Sequence, residues 1–350
     1  MTDSDRRRVA AWLLVCAALV FSIVVLGGVT RLTRSGLSIV EWQPLVGAIP
    51  PLTDASWQAL FAKYRATPEF RLVNHDITLE GFKSIFWWEY FHRLLGRTIG
   101  LVFLLPFLWF SFTRKIDRRI AWQLGAVFLL GALQGGLGWF MVKSGLVDDP
   151  RVSHFRLTAH LGVALAIFSA ELWIALHLLS KREHPLRGLE AAIPILVFLM
   201  ALSGGMVAGL RAGYAYNTFP LMNGHVVPPE TLMLEPWWRN FLYNMAAVQL
   251  VHRAFFWCLL VLVPLAWWRN RKAFSANALL AAFVLQAALG ISTLLLQVPV
   301  ALAAAHQAGA VLLLACALWT AHSARAEKGV RTLFPLASGT PRKRVLTPFS

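Results

Sequence analysis

The sequence predicts an all-α integral membrane protein in which eight transmembrane helices form two pseudo-symmetric four-helix bundles. Three observations lead to this fold class. Of the 350 residues, 57% are hydrophobic and only 14% are charged. Eight apolar stretches approach the roughly 20 residues that a helix needs to cross the hydrocarbon core of a bilayer. In addition, motifs of the first half of the chain recur in the same order in the second half.

The predicted spans, in chain order, are 9–29, 87–111, 121–142, 157–179, 190–210, 244–267, 275–297 and 304–323. The first span follows a basic segment, as a secretory signal does. It is too long for the apolar region of a signal and has no convincing cleavage site, so we expect a retained helix. Cys16, Cys258 and Cys316 all lie within spans, which predicts small apolar packing residues and no structural disulfide.

The formal net charge of +16 is distributed unevenly over the connections. Of the 33 lysines and arginines, 19 lie in 1–8, 113–119, 181–188, 269–274 and the C-terminal tail, whereas the longer alternate connections carry 11. The positive-inside rule therefore predicts cytoplasmic N- and C-termini, and the basic residues also suit anionic lipid headgroups. Because these residues are scattered over short connections without a binding module, we expect no nucleic-acid binding.

The internal repeat covers all eight spans. The segment "VVLGGVTRLTRSGLS" of span 1 recurs as "LSGGMVAGLRAGYAYNTFP" at span 5, and spans 2, 3 and 4 match spans 6, 7 and 8. Four helices return the chain to its starting side, so the halves should share one orientation about an axis along the membrane normal. The predicted organisation is an N-terminal half, 1–188, a C-terminal half, 189–323, and a cytoplasmic tail, 324–350.

Four histidines occupy equivalent positions of the repeat: His92 pairs with His252, and His160 pairs with His306. A lone histidine on an apolar face is often only a core residue, but ionisable groups inside a membrane are costly and usually mark function. Each of the four lies in the first turns of a span that runs inward, so all should lie near the outer face. Two neutral imidazoles per half, without a set of carboxylates or cysteines, suit the axial positions of a haem better than a closed zinc site.

The glycines near these histidines have two interpretations. Gly96, Gly162 and the segment 134–138 could accommodate a flat ring, or they could allow close packing between helices. The other six histidines lie in loops or at inner ends without repeat partners, and we expect them to be interfacial or solvated.

Glu89 shares a helix face with His92, three residues away. Arg93 or Arg97 could simply neutralise this carboxyl. However, the repeat places Gln249 at the equivalent position of the second half, so only the first half has an acid. Because substrate oxidation moves protons whereas electron transfer alone does not, we expect the substrate in the first half and a fixed cofactor in the second.

These ordered motifs resemble the haem A synthase family. The resemblance covers nearly the whole chain, through "GGVTRLTRSGLSIVEWQPLVGAIPP", "EYFHRLLGR", "LQGGLGWFMVKSGL", "RLTAHL", "YNTFPLMNG", "QLVHR" and "AAAHQ". It implies an enzyme of the cell inner membrane that oxidises the ring D methyl of haem O to the formyl group of haem A for cytochrome oxidase. The implied route is two successive hydroxylations and a dehydration.

The family's motifs also imply individual roles. His92 and His160 would bind the substrate haem, His252 and His306 would bind the cofactor haem B, and Glu89 would be the essential acid. The implied partners are haem O synthase, an electron donor of quinol or ferredoxin-like type, and a homo-oligomer as a further possibility. The first outer loop lacks the cysteine pair of some members, which places the chain with the subgroup similar to alphaproteobacterial and mitochondrial enzymes.

Two questions of mechanism stay open in the sequence. Bis-histidine ligation leaves iron no open position for O2, so either one histidine leaves during turnover or the oxidising equivalents reach the methyl through the ring. The haem propionates prefer arginine. The candidates are Arg31, Arg34, Arg93, Arg211 and Arg253, whose alternative role is to contact lipid headgroups.

The first outer loop contains "DASWQALFAKYRATPEF", in which Trp57, Leu60, Phe61 and Tyr64 fit one helical face. We expect this helix either to cover the substrate haem or to anchor the loop to the membrane. Two other classes of protein compete with the enzyme. A di-haem electron carrier would place its haems at two depths and would leave Glu89 unexplained, and a transporter would have inverted repeats.

Overall fold

The computed structural model describes residues 1–43, 46–146, 150, 152–180 and 188–327. The polar connection between the predicted halves and most of the predicted cytoplasmic tail lie outside these residues. The helices of the described chain are α1 (Asp3–Leu32), α2 (Asp54–Arg65), α3 (Pro68–Leu72), α4 (Leu79–Phe112), α5 (Arg118–Gly145), α6 (His154–Leu179), α7 (Leu189–Gly209), α8 (Asn240–Tyr243), α9 (Met245–Arg269), α10 (Phe274–Leu295) and α11 (Val300–Glu327).

Eight of these helices, within the part of the chain that the structure describes, are long and apolar enough to cross a membrane. They are α1, α4, α5, α6, α7, α9, α10 and α11. This number and order confirm the predicted multi-pass all-α membrane protein. Several helices extend beyond their predicted spans; α4 begins eight residues earlier than expected. A helix can continue into the interface because its polar end can be hydrated and capped there.

Polar side chains fix the starts of several helices. Thr78 caps α4 by accepting a hydrogen bond from the backbone N–H of Gly81, and Asp117 caps α5 through the N–H of Ile120. Asn244 likewise caps α9. Such caps satisfy backbone donors that have no partner within the helix. The early start of α4 therefore follows from a threonine upstream of the apolar run.

The long helices share one apolar core. α1 packs against α4 and α6, while α7 packs against α9 and α11, and α10 packs against α11. Contacts of α6 with α7 and of α1 with α11 join the two groups. All eight contribute side chains to the core, among them Leu13, Leu124, Leu165, Leu259 and Leu314. In lipid such contacts stabilise by close packing rather than by removing apolar surface from water. The pseudo-symmetric relation of the halves stays a prediction.

A second apolar cluster lies in the connection between α1 and α4 and at the start of α4. Trp57 and Tyr64 of α2 are buried against Phe82 and Phe86, at the beginning of α4. Thr53 precedes α2 and forms a capping box with Ser56. This cap stabilises the first turn of α2. Trp57 is 8% exposed and Tyr64 is fully buried. These two side chains therefore attach α2 to the beginning of α4.

Candidate functional site

The four repeated histidines lie on four separate helices at similar distances from the helix starts. His160, His252 and His306 lie six or seven residues into α6, α9 and α11, and His92 lies further along the longer α4. All four are half-buried. His92 and His160 are close enough to interact electrostatically, and so are His252 and His306. Each half thus brings its own two histidines together, as the four-helix bundle expected for each half predicts.

Each imidazole lies against a glycine of a neighbouring helix. A Cβ atom added at Gly27 would lie 2.9 Å from His92 Cε1, and one added at Gly290 would lie 2.7 Å from His306 Cε1. The corresponding distance is 3.2 Å both from Gly138 to His160 and from Gly204 to His252. A larger residue at these positions would occupy space that the rings use. The glycines therefore fix where the four rings lie.

The glycines that the sequence singled out divide between the two interpretations. Gly138, in the segment 134–138, lies against His160 and so belongs to the site. Gly96 faces Ile23, and Gly162 faces Leu202, which indicates close helix packing. Gly27, Gly204 and Gly290 were not assigned from sequence. The signal was present, because Gly27 and Gly204 occupy matching positions of the repeat.

The ring nitrogens differ among the four sites. Nδ1 of His92, His160 and His306 is buried without a hydrogen-bond partner in the described residues. Nδ1 of His252 instead lies 2.8 Å from Ser203 Oγ, which in turn donates to the carbonyl of Met200. Buried imidazole nitrogens are normally satisfied by the protein or by a bound group. Three of the four rings thus lack, among the described residues, the Nδ1 partner that Ser203 provides for His252.

A metal ion held by protein ligands alone does not fit this arrangement. Among the described residues, no group of three or more histidine, cysteine, aspartate or glutamate side chains could hold a metal ion. Each site offers two imidazoles from different helices, half-exposed and backed by glycine. This donor set fits the two axial positions of a haem iron better than the four ligands of a structural zinc.

Glu89 is 2% exposed and has four hydrogen-bond donors. Oε1 accepts from Arg93 Nε at 3.0 Å and Nη2 at 2.6 Å, while Oε2 accepts from Ser38 Oγ at 2.7 Å and the backbone N–H of Ile39 at 2.8 Å. Of the two arginines proposed to neutralise this carboxyl, Arg93 does so. Sequence reasoning missed Ser38 and Ile39, because they lie about 50 residues before Glu89 and nothing in their own motif predicts this contact.

Gln249 and Arg253 form the equivalent pair of the second half. Gln249 Nε2 donates to the carbonyl of Ala212, and Arg253 Nη2 lies 3.3 Å from Gln249 Oε1. Arg253 Nη2 also donates to the carbonyls of Tyr216 and Thr218, and Nη1 donates to those of Pro220 and Leu221, all in the loop that follows α7. The structure thus has a charged, acid-containing pair in one half and an amide-containing pair in the other.

The remaining candidate arginines lie at the C-terminal ends of α1 and α7. Arg34 and Arg211 hold matching repeat positions, and both adopt left-handed backbone conformations, with φ of 53° and 56°. Such angles are uncommon for residues other than glycine, and each of the two helices ends two residues before such a residue. Arg31 is half-buried and close enough to Arg211 to interact electrostatically. Two like charges at this distance favour an anion beside them.

One of the other histidines departs from expectation. His322, predicted at a solvated inner end, is only 8% exposed, and its ring packs edge-on against Trp173 at 5.3 Å. The prediction was wrong because packing between helices, rather than nearness to a helix end, decides the burial of this ring.

Comparison with known proteins gives consistent results over nearly the whole chain. The family described as "Cytochrome oxidase assembly protein" matches residues 10–318. A protein of Nitrosospira multiformis named "Heme A synthase" is 58% identical over 335 residues, which cover 91% of this chain and 94% of that protein. Proteins of the same name from Nitrosomonas eutropha and Parvibaculum lavamentivorans are 50% and 48% identical and cover 89% and 92% of this chain and 92% and 95% of their own lengths.

Proposed function

This chain belongs to the cytochrome oxidase assembly protein family, and we propose that it is a membrane enzyme that oxidises the ring D methyl of haem O to the formyl group of haem A. The change requires four electrons, which two successive hydroxylations and a dehydration would account for. The family match and the relatives named "Heme A synthase" support this substrate and product.

The observation that carries the proposal is the difference between two similar histidine sites. Both halves have a pair of imidazoles backed by glycines, but Glu89 of the first half is replaced by Gln249 in the second. Oxidation of a substrate releases protons, and a positioned carboxylate can accept them, whereas an amide cannot. The first half is therefore the substrate site, and the second half holds a haem that transfers electrons.

The assignment of ligands follows from this difference. His92 and His160 would ligate the substrate haem, and His252 and His306 would ligate haem B. When bound, haem B supplies one-electron redox chemistry. The Ser203 hydroxyl next to His252 Nδ1 fits a permanent cofactor, because a hydrogen bond to the second nitrogen orients a ligating imidazole.

Glu89 would act on protons beside the substrate. The Arg93 guanidinium, the Ser38 hydroxyl and the backbone N–H of Ile39 hold this carboxylate in one orientation. In that position Glu89 either orients a water molecule or accepts a proton from the reacting group.

The propionates of the two haems need cationic partners near the outer helix ends. Arg31, Arg34 and Arg211 are the better candidates, since Arg31 and Arg211 lie close together without an acid between them in the described residues. Arg93 and Arg253 direct hydrogen bonds to loop carbonyls, so any contact of theirs with a propionate would be additional.

The remaining parts of the proposal concern location and partners. The basic connections support the cell inner membrane with cytoplasmic termini. Haem O would come from the enzyme that makes it, and a quinol or a ferredoxin-like protein would exchange electrons with the second half. A homo-oligomer is compatible with the exposed apolar faces of α4 and α5.

The proposed function is tested by identifying the haems in the purified protein. The protein is prepared from cells that make haem O, and its haems are extracted and identified by chromatography and mass. We expect haem B together with haem O, haem A or the hydroxylated intermediate. Haem B alone, in the presence of abundant haem O, would contradict the proposal and would favour a di-haem electron carrier.

A further inference from the structure

Glu69 is a second buried carboxyl beside Glu89. It lies in α3, is 5% exposed, and its Oε2 has no hydrogen-bond partner among the described residues. Glu89, by contrast, has four donors on its two oxygens. A buried acceptor without a partner is unusual and calls for an explanation, such as a catalytic role. If this position had only a structural role, an amide or an apolar side chain would avoid the cost of burying a carboxyl.

The groups that face Glu69 come from three elements. They are Glu89 of α4, Arg34 after the end of α1, and Tyr64 of α2, while Arg93 acts through its ion pair with Glu89. Burial, followed by the negative charge of Glu89, raises the pKa of Glu69 to about 8, although Arg34 opposes this shift. Burial also raises the pKa of Tyr64 to about 12, so this phenol stays neutral.

The two carboxyls are therefore coupled. Arg93, Ser38 and Ile39 stabilise the charge of Glu89, and that charge disfavours a second negative charge on Glu69. Near neutral pH Glu69 therefore keeps its proton. A proton that arrives at Glu89 removes the repulsion that keeps Glu69 protonated. Arrival of a proton at one carboxyl thus promotes its release from the other.

We propose that Glu69 is the proton-exit residue of the first-half site, through which protons accepted by Glu89 reach the solvent of the outer loops. The inference rests on the proposed function. When Glu89 accepts a proton, Glu69 loses its own proton to water, and the Glu69 carboxylate then takes the proton from Glu89. One proton enters the pair and one leaves, no electron moves, and only O–H bonds are broken and formed.

The first test is kinetic and uses Glu69→Gln. The amide keeps the shape of the side chain but cannot release a proton. We expect turnover to fall by on the order of tenfold, less than the 10²–10⁴-fold that a direct general base contributes. Because release from Glu69 becomes easier toward its pKa, wild-type turnover should rise with pH up to about 8. This rise should be absent in Glu69→Gln and partly restored in Glu69→Asp.

The matched control is Glu80→Gln. Glu80 begins α4 in the same outer region, but it is exposed and pairs with Lys83. We expect this variant to keep wild-type turnover and pH dependence. Haem content is measured in every variant, since a role of Glu69 in folding alone would lower haem content without removing the pH-dependent rise.

The second test does not depend on turnover. Infrared difference spectra between about pH 6 and about pH 10 should contain a carboxylic-acid band that disappears in Glu69→Gln and persists in Glu80→Gln. Absence of this band, or wild-type turnover and pH dependence in Glu69→Gln, would overturn the inference while the proposed function stands. If the wild-type protein made no formyl product at all, the proposed function itself would fail.

Discussion

Arg93 of the first half and Arg253 of the second each follow a repeated histidine by one residue, yet their partners differ. Arg93 pairs with the Glu89 carboxylate and donates to the carbonyls of Ile39 and Glu41. Arg253 donates mainly to loop carbonyls, with Gln249 as its side-chain partner. Both arginines therefore hydrogen-bond a loop to a long helix. Since the second half does so without an acid, fastening the loop does not explain Glu89.

The histidines of the two halves also differ in their hydrogen-bond partners. His252 has the Ser203 hydroxyl at Nδ1, whereas the repeat places Leu26 at the matching position of the first half, and His92 Nδ1 has no partner in the described chain. A ligand oriented by a second hydrogen bond holds its metal more tightly. Nδ1 of His306, the other histidine of the second half, has no partner in the described chain, so the difference between the halves lies at His252 alone. It supports the proposal that the second half retains its haem while the haem of the first half enters and leaves.

The largest expected effect comes from making the first half resemble the second. Glu89→Gln should lower formyl production by on the order of 10²–10⁴-fold, because the amide cannot accept a proton. The Gln249–Arg253 pair indicates that the fold tolerates an amide at this position, so haem B content should not change. The measurement is haem A formed per haem B. Glu41→Gln is the control, because it removes an exposed acid from the loop whose residues Ser38 and Ile39 contact Glu89.

Activity close to that of the wild type in Glu89→Gln would remove the acid from the mechanism. Loss of haem B from this variant would show instead that the second half depends on the first, and the comparison between the halves would no longer separate their roles.

A smaller effect should follow from filling the space beside each ring. Gly290→Ala places a methyl group against His306, and Gly27→Ala places one against His92. Overpacking costs about 1–3 kcal/mol, or roughly 5- to 150-fold in occupancy. We expect Gly290→Ala to reduce haem B and Gly27→Ala to reduce the substrate haem. Haem content after extraction measures both.

Gly100→Ala is the matched control, because no atom outside its own helix lies within 4 Å of the added methyl group. If Gly27→Ala and Gly290→Ala both lowered the same haem, the assignment of one haem to each half would be wrong.

The smallest effect is expected at the hydrogen bond that distinguishes the two halves. Ser203→Ala removes the partner of His252 Nδ1 and should weaken haem B binding by about tenfold, the lower end for such contacts. Titration of the haem-depleted protein with haem B measures the change. Ser22→Ala is the control, since Ser22 bonds only the carbonyl of Ala18 within its own helix. Equal affinities in the two variants would exclude a role for Ser203.

The sequence was sufficient where local pattern determines the outcome. Apolar length predicted the eight spans, and the four-helix bundle expected for each half predicted which histidines would be neighbours. It was insufficient where distant segments meet. Neither the bonds from Ser38 and Ile39 to Glu89 nor the proximity of Glu69 could be predicted, because these contacts join segments that are far apart in the sequence.

The central claim is that the two halves bind different haems, and paired histidine variants test it most directly. His92→Ala/His160→Ala and His252→Ala/His306→Ala are purified from cells that make haem O, and their haems are extracted and identified by mass. We expect haem B without haem O or haem A in the first variant, and loss of haem B from the second. Loss of haem B from the first variant with its retention in the second would contradict the assignment of haem B to the second half.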